Sequence, residues 1–205
     1  MSSPTTTTPP EDAGFDPLVF WIQHKTKVIL LALLLVVGLA TFAISEWVRT
    51  STNSAAQSLF AKASTADDFR KVIAEYPNSS AAGNAYLMLA AKLRAEGKFE
   101  ESTKTLRTFT EKLPEHELVS GAWTSIATNQ EAEGKVDEAL ATYQKVTTGY
   151  ANSFSGPAAF LAQARILNAK GKTEEARRIY EQVITQFPDN VVSQQATQEL
   201  RRLKK

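Results

Sequence analysis

The phrase AEGKFEEST at residues 95–103 returns as AEGKVDEAL at 132–140 and as AKGKTEEAR at 169–177. The glycines of the three copies, Gly97, Gly134 and Gly171, stand 37 residues apart. A fixed period in the range of roughly 20–50 residues marks stacked structural units, each completed by its neighbour. The period therefore restricts the chain to a repeat array before any other property is considered.

Each copy separates two amphipathic stretches. The glycine follows a run of helix formers, where it takes the left-handed backbone that stops an α-helix. An acidic pair comes next: Glu100/Glu101, Asp137/Glu138 and Glu174/Glu175. In the first turn of a second helix such charges are favoured by about 0.3–1 kcal/mol each. Paired carboxylates also serve enzymes, but these recur wherever the helix start recurs. The phrase reads as the turn of a helical hairpin, not as a site.

The flanking positions obey the same period. Eleven residues before the glycines stand Tyr86, Trp123 and Phe160, and seven before stand Ala90, Ala127 and Ala164. Ser102, Ala139 and Ala176 follow by five, Leu106, Tyr143 and Tyr180 by nine, and Phe109, Val146 and Val183 by twelve. Pro114, Ala151 and Pro188 follow by seventeen, with Pro77 one period earlier; proline there ends the second helix. Large aromatics are expected between hairpins, Trp123 among them, and small residues where helices cross.

This pattern of aromatic, small, Gly, Ala, aromatic and Pro resembles the tetratricopeptide repeat over residues 78–188, with a period a few residues above the usual 34 or so. Such hairpins stack into a solenoid whose first helices line a concave groove. The resemblance turns three groups of residues toward that groove: Asn84, Leu87, Met88 and Arg94; then Thr124, Ser125, Thr128 and Glu131; then Leu161, Arg165 and Asn168. Leu87, Met88 and Leu161 would take an apolar side chain of a bound peptide, and Arg94 or Arg165 an acidic one. In residues 189–205, Val192, Ala196, Leu200 and Leu203 share one face and Gln194, Gln198, Arg201 and Arg202 the other, as in a capping helix.

Before the repeats the composition changes. Residues 1–16 are rich in Thr and Pro and read as a disordered tail. Residues 28–44 carry no charge, with only Gly38 and Thr41 as breaks, and are bracketed by Phe20, Trp21 and Trp47. That length reaches the roughly 17–25 residues that span a bilayer. A cleaved signal peptide has a shorter apolar run behind a short basic leader, and a core helix apolar on every face belongs inside a large protein, whereas this chain has 205 residues. Lys25 and Lys27 on one side tie with Arg49 and Lys62 on the other; the α-amine tips the balance toward a cytoplasmic N-terminus. Residues 54–64 and 65–77 read as two short helices joined near Ser64.

The expected architecture is all-α: a single transmembrane helix, then a tetratricopeptide solenoid of three repeats. Its domains are a tail (1–16), an interfacial segment with the spanning helix (17–48), a degenerate half-repeat (49–77) and the repeats with their capping helix (78–205). This layout resembles the bacterial YfgM-like proteins, ancillary subunits of the Sec translocon. The resemblance implies an inner-membrane anchor, repeats on the periplasmic side, and the Sec translocon or periplasmic chaperones as partners. It points to a scaffold assisting protein translocation or envelope assembly; the alternative in the same fold is an envelope or cell-division adaptor. A chaperone-tail receptor would need basic or amide clamp residues, where this chain has Leu87, Ala91, Ser125, Ala158 and Ala162. No enzyme is expected, since no nucleophile–base pair, metal spacing or phosphate loop occurs. No cofactor is expected either. With no cysteine and a net charge of +1, neither a disulfide frame nor nucleic-acid binding is indicated.

Overall fold

A computed structural model describes residues 17–203. The expected tail at 1–16 and the last two lysines of the terminal RRLKK lie outside the described residues. Among those described, every regular element is an α-helix: α1 (Pro17–Lys62), α2 (Ala66–Glu75), α3 (Ser80–Ala95), α4 (Phe99–Lys112), α5 (Val119–Ala132), α6 (Val136–Gly149), α7 (Gly156–Ala169), α8 (Thr173–Gln186) and α9 (Val191–Leu203).

The repeated phrase makes the same turn three times. Gly97, Gly134 and Gly171 hold φ of 75°, 75° and 77°. After α3, Lys98 N–H donates to Leu93 O (2.9 Å) and Gly97 N–H to Arg94 O (2.9 Å). Lys135 and Gly134 bond Gln130 and Glu131 in the same way, as do Lys172 and Gly171 with Leu167 and Asn168. This paired closure satisfies carbonyls that a helix end leaves open.

The chain divides into two compact units between Ser51 and Thr52. In the first, α1 is long and apolar enough to cross a membrane, and none of its apolar window is buried within the protein. Leu31, Leu34 and Phe42 are each about two-thirds exposed or more (68%, 73% and 67%). Thr41 lies within the helix, its hydroxyl donating back to Val37 O and Gly38 O.

In the second unit each helix packs on the next, and α5 also meets α7, as α7 meets α9. Each hydrophobic cluster joins one hairpin to the helix that follows. Tyr86 and Ala90 of α3, Leu106 and Phe109 of α4, and Ala122 of α5 form one such cluster. Phe160, Ala164, Tyr180 and Val183 with Ala196 of α9 form its counterpart two repeats later. The crossing positions include a series of which the sequence pattern singled out only the last member, Ala196. Ala85, Ala122, Ala159 and Ala196, also 37 apart, are each fully buried where a first helix meets the preceding hairpin.

Trp123 departs from its equivalents. Tyr86 and Phe160 are 5% and 6% exposed, whereas Trp123 stays half-buried, bridging two clusters, with Lys145 Nζ 3.2 Å above its ring. The expected helix at 54–64 is the end of α1, since no Gly or Pro occurs between Gly38 and Lys62 to stop it. The degenerate unit keeps the packing residues Phe69 and Val72, one period before Leu106 and Phe109, but not the glycine turn. A capping box replaces it: Thr65 Oγ1 accepts from Asp68 N–H, and the Asp68 carboxylate accepts from Thr65 and Ser64 N–H. Those backbone bonds, Ser64's first, hold the Asp68 carboxyl down at about 2.

Candidate protein-interaction groove

The first helices α3, α5 and α7 carry the residues the repeat pattern turns inward. Between α3, α4, α5 and the α6–α7 loop lies a cavity of about 840 Å³. Leu87, Met88 and Arg94 of α3 and Ser125 of α5 line it. Small side chains on the crossing helices, Ala90, Ala91 and Gly121, leave the space, and Leu106 and Phe99 of α4 form apolar floor. Met88 is 46% exposed. Among the described residues no carboxylate lies within 4 Å of Arg94.

Leu161 and Arg165 of α7 line a separate cavity of about 450 Å³, closed by Tyr180 of α8 and Val192 and Glu199 of α9. Asn84, Thr124, Thr128, Glu131 and Asn168 line neither cavity. Asn84 is half-buried. The other four are engaged within the protein. Thr124 donates to Ser120 O and Thr128 to Thr124 O, while Asn168 Oδ1 lies 3.5 Å from the Thr173 hydroxyl.

Glu131 sits at the centre of a polar junction. Its Oε1 accepts from the Tyr143 hydroxyl at 2.7 Å, and its Oε2 from Arg165 Nη2 at 2.5 Å. Thr128 Oγ1 lies 3.1 Å from the same phenol. Burial, together with the hydrogen bond from Tyr143 to the Glu131 carboxylate, pushes the Tyr143 phenol up to about 12. Two charges that look like groove charges in sequence thus hold each other across neighbouring repeats. Beneath the larger cavity, Ser102 Oγ donates to Ala90 O and accepts from Asn129 Nδ2, tying α3, α4 and α5 through buried polar groups.

Several lining residues escaped the sequence reading, among them Glu117 just before α5 and three large apolar ones. Phe154, at the cavity rim on the α6–α7 loop, is fully exposed (101%); Phe99 and Leu118 line the interior. The period held a signal for Phe154: it stands 37 residues after Glu117 and 74 after Ser80, an aromatic where both equivalents are polar. No group of three or more His, Asp or Glu among the described residues could hold a metal ion.

Comparison with known proteins gives a consistent picture. The family described as tetratricopeptide repeat-like domain matches residues 19–204. A tetratricopeptide repeat protein from Parabacteroides merdae is similar in structure, at 21% identity and a TM-score of 0.51, over 59% of this chain. The chain spans 45% of that protein. Nearly identical TPR-like repeats from Podosopora anserina give 19% identity and a TM-score of 0.52 over 75% of this chain and 84% of theirs. At these identities the likeness is one of fold. No curated protein matches the chain.

Proposed function

The chain belongs to the tetratricopeptide repeat-like domain family, and from that premise we propose that it is a membrane-anchored scaffold that binds other proteins through its first-helix groove. The observation that carries this reading is the apolar cavity beside Leu87, Met88 and Arg94, set in a repeat fold that typically serves as a non-catalytic interaction scaffold. Binding hot spots cluster in well-packed, desolvated pockets. The long apolar α1 supports an anchor, and the lysines before its apolar run support a cytoplasmic N-terminus with the repeats on the outer side of a bacterial inner membrane. There the scaffold would assist protein translocation or envelope protein assembly, with translocon subunits or periplasmic chaperones as partners.

Photo-crosslinking in native membranes tests the reading. A crosslinker replacing Met88, inside the groove, should capture a defined protein; one replacing Arg178, on the exposed side of a second helix, should not. Equal capture from both positions, or capture from Arg178 alone, would place the binding surface on the second helices.

A further inference from the structure

Building on the reading of the α3–α5 cavity as a docking groove, we propose that its occupant is an amphipathic α-helix of a partner protein. This helix lies antiparallel to α3 and α5, with its acidic first turn at Arg94 and its basic last turn at Glu117.

Size comes first. A cavity of about 150 Å³ holds one benzene-sized group, and this one measures about 840 Å³. It accommodates several consecutive apolar side chains rather than a single anchor.

The walls decide the backbone of the occupant. Apart from residues flanking α5 and in the α6–α7 loop, they are helices whose amides and carbonyls are already bonded internally. No sheet edge is offered. Leu87 to Ala95 spans roughly 12 Å at helical rise, a distance that an extended segment covers with about four residues. Those residues would bring some eight main-chain donors and acceptors into an apolar groove. No Asn or Gln lines the cavity, and of its four serines Ser102 is already bonded to Ala90 and Asn129, which leaves three hydroxyls, those of Ser120, Ser125 and Ser155, for some eight main-chain groups. A helix satisfies its own backbone and presents only side chains.

The ends decide its direction. Arg94 lies in the last turn of α3, and Glu117 lies just before the first turn of α5. α3 and α5 are one period apart and run the same way, so the groove is cationic at one end and anionic at the other. Among the described residues, neither charge has an ion-pair partner within 4 Å. A free-standing helix favours acidic residues in its first turn and basic residues in its last. Such a helix meets both poles only when antiparallel to α3. Met88 and Phe154, large and exposed, stand where its apolar stripe enters; methionine adapts its shape to a range of side chains.

The test uses the full chain in lipid nanodiscs and three synthetic 14-residue peptides. The first has leucines at i, i+3, i+4 and i+7, glutamates in its first turn and lysines in its last. The second has its charges exchanged end for end, and the third carries a central proline. Because the chain has no cysteine, a fluorophore goes on Glu100→Cys or Asn152→Cys alone, and a nitroxide on each peptide's N-terminus. The first peptide should bind at least tenfold more tightly than either control, and its nitroxide should quench the label at 100 more than that at 152. Arg94→Glu should weaken the first peptide and strengthen the charge-exchanged one. Equal affinity for the proline peptide, equal quenching at both labels, or binding of none of the three overturns the helical occupant. The docking-groove reading fails separately if Met88→Glu leaves binding of the first peptide unchanged.

Discussion

Replacing Gly134 by alanine isolates the cost of the turn that sets the period. The residue holds φ of 75°, and an added Cβ meets no atom within 4 Å. No clash contributes, so the effect is backbone conformation alone. A left-handed conformation costs an L-residue about 1–2 kcal/mol. Restricting the unfolded chain returns about 0.4–1 kcal/mol. The net loss is about 1 kcal/mol, which in a chain of this size lowers the melting temperature by roughly 2–4 °C. Asparagine tolerates this conformation and should cost less than alanine, and β-branched valine more. Gly97→Ala and Gly171→Ala should cost the same, because the hydrogen bonds that close the turns repeat. Their pairwise combinations should add to within about 0.5 kcal/mol. Thermal unfolding of residues 52–205 followed by circular dichroism provides the measurement. An unchanged melting temperature for Gly134→Ala, or a larger loss with asparagine than with alanine, would refute the assignment of the repeated phrase to a left-handed helix stop.

Three further outcomes follow from the packing and the junctions. The neutral Tyr143 phenol is favoured in the fold, so its contribution is complete below its ordinary value of 10.0 and is lost as pH rises through about 12; chemical denaturation across that window should fall less steeply for Tyr143→Phe than for the natural chain. Leu106, 1% exposed, should cost about 2–5 kcal/mol when cut to alanine, whereas Ala122→Leu, at a fully buried crossing, should cost about 1–3 kcal/mol by overpacking; both are read from denaturant midpoints. Protease added to intact spheroplasts should digest the repeats, and full protection until lysis would reverse the proposed orientation.

The features legible in the sequence are those that one residue imposes locally. A glycine after helix formers sets a left-handed stop, and Pro114 and Pro188 follow helices that end at Lys112 and Gln186. The aligned aromatic and small positions then locate most of the core. Ala85, Ala122 and Ala159 were not singled out, because alanine is ordinary in any helix and only packing distinguishes a crossing point from a filler. Glu131 and Arg165 show the limit more sharply. They meet at a separation of 34 residues, not 37, a diagonal contact between adjacent first helices. Comparing equivalent positions cannot reveal such a pair, so both read as charges free to meet a ligand. Their pairing changes what a substitution reports. Arg165→Ala leaves Glu131, whose side chain is 20% exposed, without its counter-charge beside a buried phenol. The loss should approach 1 kcal/mol, the upper end for partly exposed pairs. Arg94→Ala breaks no ion pair and should stay within about 0.5 kcal/mol. A fall in binding caused by Arg94→Ala therefore reports on the groove, whereas one caused by Arg165→Ala reports first on the junction between the second and third repeats.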